Sequence, residues 1–108
     1  MKLTVQIESF KPLRSNTLFG FADVVVPELR LRIHELTVHE SHGKRWVGLP
    51  GKPMINRDGE VLRNDRGKPA YTPVIEFTER TTRDAFSARV IEALLALYPN
   101  AFSDKAAP

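Results

Sequence analysis

The 108-residue chain has no cysteine. That excludes a disulfide framework, a thiolate nucleophile and any cysteine-ligated zinc or iron–sulfur centre. No apolar run approaches the roughly 20 residues needed to cross a bilayer, so membrane insertion is not expected. The opening "MKLTVQIESFKPL" alternates apolar with polar residues and lacks the continuous apolar stretch of a secretory signal; the expected location is the cytoplasm. Also missing is any recognisable spacing of nucleophile and base, or of paired carboxylates, that would converge on a pocket. The chain reads as a non-enzyme with no small-molecule substrate and no cofactor.

What is present is ordinary for a globular domain: 42% hydrophobic and 27% charged residues, and a net charge of +3. The length predicts one domain, over residues 1–98, with 99–108 as a flexible tail. Charge is unevenly placed. Between Lys44 and Lys68 lie seven basic residues against three acidic ones, a local balance of +4 that leaves the remainder at −1.

"LTVQIE" sets Leu3, Val5 and Ile7 on one face, the period of two of a half-buried strand. After a turn at "KPLRSN", "TLFGFADVVV" reads as a central strand that ends at Pro27. In "LRLRIHELTVHE" the parity changes: Leu36 and Val38 are in phase with His34, not Ile33. Either a bulge lies near Glu35 or the two halves bury opposite faces. Gly43 supplies a turn, "RWVGL" a fourth strand, and "TPVIEF" a fifth. Residues 51–72 read as a long loop with a hairpin turn at Asp58-Gly59. From Thr81, with Asp84 at the capping-box position, Phe86, Val90, Ala93, Leu94 and Leu97 follow a helical face that Pro99 ends. No internal repeat is evident. The fold class expected is α+β, a small antiparallel twisted sheet of four to five strands with one C-terminal helix packed on it.

"HELTVHESH" invites comparison with a zincin site, which needs two histidines four apart on a helix. His34 and His39 are five apart in an extended segment, where they point to opposite sides of the sheet. His39, Glu40 and His42 form a looser group at a strand end, where histidines are usually surface residues. No metal ligand set is assigned.

The order of "LRIHELTVHE", "WVGLPGK" (Trp46 to Lys52), a Gly-rich loop and a helix opening in "TTRDAF" (Thr81 to Phe86) resembles the SpoVG family of bacterial septation and regulatory proteins. Trp46 stands for the family's usual Phe, Leu49 for Met and Gly51 for Ser, and Arg83 falls at its basic position. The insert "MINRDGEVLRNDRGKPAYT" is longer than the family's loop. The resemblance implies a homodimer that binds DNA or RNA with tolerance of sequence and a regulatory outcome. Lys52 and Arg83 are the leading phosphate contacts, with Lys44, Arg45, Arg57 and Arg66, together with Arg63 and Lys68, widening the patch. Arg83 could instead pair with Asp84 or Glu79. Trp46 is either packed in a core or dimer interface, or a stacking ring for an exposed base. Exposed sheet edges favour pairing of two copies. The alternative to nucleic-acid binding is a protein-interaction or structural module on the same scaffold.

Overall fold

The computed structural model describes residues 3–102. Four strands, β1 (Gln6–Ser15), β2 (Leu18–Val26), β3 (Leu31–Ser41) and β4 (Lys44–Gly48), form one antiparallel sheet in sequence order. Short β5 (Gly51–Pro53) and β6 (Tyr71–Pro73) pair in a second sheet, and α1 (Arg80–Leu97) closes the chain. The expected α+β architecture of a small antiparallel sheet with one C-terminal helix is present.

Local chemistry sets each connection. β1 runs through "KPLRS", expected as a turn, and reverses only at Asn16, whose φ of 55° uses the tolerance of Asn for the left-handed region. Pro27 to Leu29 form one 3-10 turn, as the strand end at Pro27 predicts, with the Arg30 N–H donating to the Pro27 carbonyl. β3 and β4 meet through His42 and Gly43, both at positive φ, the requirement of a two-residue turn matching strand twist. Residues 74–77 bend away after β6 instead of continuing a strand.

The parity change in β3 is a bulge. Ala22 faces Leu36 and Val24 faces Ile33, so His34 and Glu35 together oppose Asp23. Glu35 has φ 58° and its N–H donates to Asp23 Oδ1 at 2.8 Å. The extra residue keeps Ile33, Leu36 and Val38 on one buried face with Ala22, Val24 and Val26.

Helix α1 packs on that face through Phe86, Val90 and Leu94. Leu36, Leu94, Val24, Val26, Val38 and Val90 are fully enclosed, each contributing about 1.5–3 kcal/mol by leaving water. Two details of the helix differ from the sequence reading. It begins at Arg80 after Glu79, and no side chain caps it, so Thr81 is not the N-cap. Leu97, placed on the buried face by periodicity, is exposed. The chain beyond the helix folds back: Ala101 is buried in the core, and the Phe102 ring lies 5.3 Å from Phe19. Residues 99–102 therefore belong to the domain, while the rest of the expected tail, 103–108, lies outside the described residues. Among the described residues, no helix is long and apolar enough to cross a membrane.

Ser87 ties the helix to the sheet. Its Oγ accepts from the Val47 N–H at 3.0 Å, satisfying a backbone donor on the outer edge of β4. Replacing it leaves that donor without an acceptor beneath the helix. Ser87→Ala is expected to cost about 1–3 kcal/mol, read as a lower urea midpoint at unchanged slope; an unchanged midpoint would show that water replaces the hydroxyl.

Candidate functional site

Residues 51–73 form an ordered arm. Two hairpins with the same turn follow each other between β5 and β6. In the first, Asn56 Oδ1 accepts from the N–H groups of Asp58 and Glu60, and in the second Asn64 Oδ1 accepts from those of Arg66 and Lys68. The Gly59 and Gly67 N–H groups donate to the Asn56 and Asn64 carbonyls, with φ near 80° at both glycines. Eight residues separate each pair of equivalent positions. Met54, Leu62 and Ala70 sit at the same interval and hydrogen-bond in a closed triangle, Met54 N–H to Ala70, Leu62 N–H to Met54 and Ala70 N–H to Leu62. The sequence shows no repeat by composition because the two units share only Asn and Gly at matched places. The signal was there in "NRDGE" and "NDRGK", where Asn accepts locally and Gly supplies positive φ.

The arm carries Lys52, Arg57, Arg63, Arg66 and Lys68 against Asp58, Glu60 and Asp65. All are exposed. Among the described residues, none of these five cations has an ion-pair partner; Arg63 donates only to the Gly67 carbonyl, at 2.9 Å. Short strands and paired turns hold these charges on a frame with little core beneath it.

Lys52 and Arg83, and the Lys44, Arg45, Arg57 and Arg66 that widen the patch, fall in three places. Arg57 and Arg66 occupy the two hairpin turns, and Lys52 stands in β5 at the root of the arm. Arg83, on the first turn of α1, lines a cleft that also reaches Gly51, next to Lys52. Lys44 and Arg45 lie at the far end of β4. Arg45 is committed: it pairs with Glu40 at 2.5 Å and lies 4.5 Å above the Phe102 ring. Arg83 makes the Asp84 pair, at 3.3 Å, and Arg80 reaches the same carboxylate at 3.9 Å. Asp84 is shared by two guanidiniums, and Glu79 at the N-cap balances the charge that remains.

The sheet face away from α1 is open. Direct pairing places Leu18, His39 and Trp46 in one row across β2, β3 and β4, and Lys11, Phe21, Thr37 and Gly48 in the next. His39 and Trp46 stack, with ring centres 5.3 Å apart and planes within 9°. Thr17 Oγ1 lies 3.0 Å from His39 Nδ1, fixing the imidazole, and burial holds the His39 pKa below its usual value. Trp46 is half-buried on this open face. The cleft, about 730 Å³, has Phe21, Thr37 and His39 on its floor, with Tyr71 and Ile75 at its wall.

The bulge also corrects the geometry of the histidines. His34 lies 3.4 Å from Asp23, between the buried Ala22 and Val24, and His39 follows the buried Val38. Both therefore stand on the open face, not on opposite sides. They remain on a strand, and no group of three metal-ligating side chains comes together among the described residues. Chemically, the assembled surface offers exposed cations on the arm and stacked rings beside it. The chain matches no family model, no curated protein and no solved structure.

Asp23 anchors the bulge beneath this face. Its pKa is held below the ordinary carboxylate value, first by the Glu35 N–H and further by His34 and Ser9. A depressed carboxyl contributes stability that is present above the unfolded-state pKa near 3.9 and is lost as pH falls through the lower folded value. Asp23→Ala is expected to cost about 1 kcal/mol at pH 7, with the difference from the native chain shrinking below pH 4 in urea titrations. A difference independent of pH would contradict this role.

Proposed function

We propose that this chain is a non-enzymatic, nucleic-acid-binding regulator of SpoVG type that acts in the cytoplasm as a homodimer, holding DNA or RNA by phosphate contacts. The observation that carries the reading is the arm: five cations with no ion-pair partner among the described residues, on a scaffold of two like hairpins. Counterion release rewards such charges when they meet phosphates, whereas cations already paired gain less. Arg57, Arg66 and Lys68 would make the outer contacts, with Lys52 and Arg83 continuing the path at the root of the arm. Two copies would double the phosphates reached at one time. The resemblance of the motif order in the sequence to that of SpoVG favours the same reading.

A second reading has one observation in its favour. Ile55, Tyr71 and Val74 are 59%, 63% and 64% exposed on or beside the arm, an apolar surface that suits a protein partner. Salt separates the two. If all five arm cations engage phosphates, affinity is expected to fall about 100- to 500-fold between 50 and 200 mM salt, and Arg57→Ala/Arg66→Ala/Lys68→Ala should lower the log–log salt slope by about 2 to 3 units. Fluorescence anisotropy with labelled oligonucleotides measures both. A folded triple variant with the native slope, or no binding at 50 mM salt, would overturn the nucleic-acid reading.

A further inference from the structure

We propose that the open sheet face is a base-stacking platform that selects single-stranded nucleic acid, with Trp46 as the stacking ring and Lys44 beside it on the phosphate. The inference rests on the nucleic-acid reading above and adds to it the strandedness of the ligand and the residues that sense it.

Three observations converge on this face. Trp46 lies on β4, the edge of the sheet, and among the described residues no further strand stands beyond its ring. Its inner side is stacked on His39, whose imidazole is fixed by Thr17. The indole is thus held upright with its orientation set, an arrangement ready to extend its stack by one base. Lys44 shares the parity of Trp46 and faces Ser41 across the hairpin, which puts it on the same face, roughly 7 Å along the strand. It is exposed and, among the described residues, in no ion pair.

Beyond Trp46 the same parity reaches Gly48. A side chain there would come within 2.5 Å of Thr37 Oγ1, and its Cβ would lie 3.9 Å from His39 Nε2. The glycine keeps the cleft open over the imidazole, where a neutral Nε2 can meet a base edge. Phe21 and Tyr71 add ring faces on the floor and wall of that cleft. At its far end stands Arg83, with Lys52 following Gly51. Glu35 and Glu76 also line the cleft. They repel phosphate, so the backbone must follow the β4 side, from Lys44 towards Lys52, and present its bases inward.

A duplex hides its base faces in its own stack, whereas a single strand offers each of them to an aromatic ring, in a way tolerant of sequence. Trp46 is the single tryptophan of the chain, so its intrinsic fluorescence reports on this site alone. The test titrates the full chain with oligothymidylate, with oligouridylate, and with a DNA duplex of equal length, at 50 mM salt, following Trp46 emission and, in parallel, the anisotropy of labelled strands. Expected are strong quenching and tighter binding by one or both single strands than by the duplex; the two oligonucleotides tell DNA from RNA. Trp46→Leu should weaken single-strand binding about 5- to 150-fold while leaving the salt slope unchanged, and Trp46→Phe should restore most of the loss. Quenching in the native chain needs no variant, so the test survives a poorly folded Trp46→Leu. Binding without quenching, or duplex bound as tightly as single strand, would overturn the platform and leave the arm's phosphate contacts standing. No binding of any of the three would overturn both readings together.

Discussion

A single helix can cover only one face of this sheet, and the rest of the molecule follows from that constraint. At 18 residues α1 is about 27 Å long, enough to lie from β4 across to β1 and bury one face of four strands. Val24, Val26, Leu36 and Val38 meet Val90 and Leu94 there, and the interior is complete. Among the described residues, no second layer covers the other face. Its side chains must be tolerated by water or used, and the chain places stacked rings, a bulge anchored by carboxylate, and a cleft on it.

The bulge at Glu35 makes this division possible. Without the extra residue, Ile33 and Val38 could not both point inward, and one half of β3 would turn its apolar side chains to water. The cost is a residue at positive φ, and the Asp23 carboxylate offsets it by taking the Glu35 N–H. The same insertion brings His34 and His39 to the open face. A device that serves the core therefore decides which polar groups the outer surface presents.

Much of the fold was legible because period and punctuation agree. "TLFGFADVVV" marked the central strand and the Phe86, Val90 and Leu94 spacing marked the helix, whereas "LTVQIE" caught only the start of β1, at Gln6, and the parity break after Ile33 left a bulge and a change of buried face equally open. The misreadings have physical causes. Pro12 in "KPLRSN" suggested a turn, yet β1 is an edge strand, where a missing N–H is tolerated. Ala101 and Phe102 looked like tail because burial of a short apolar pair after Pro99 depends on the distant Phe19. The site was legible only in part. The basic segment was visible as composition, but pairing is not: that Glu40 occupies Arg45 and that two arginines share Asp84 follows only from the folded arrangement. The stack of His39 on Trp46 is a matter of register across two strands, which neither residue's neighbours in sequence disclose.

On the proposed reading the open face and the arm act as one binding surface, while the helix side is a covered core. A map of backbone amide shifts, on adding a short single-stranded oligonucleotide to the isotopically labelled chain, distinguishes a joint surface from two separate ones. Perturbations should gather at residues 37–39, 44–48 and 52, and at the two arm turns around Arg57 and Arg66, and should spare Arg89 and Glu92 on the exposed side of α1. A map centred on α1, or shifts at the arm turns with none on β3 and β4, would contradict a joint surface.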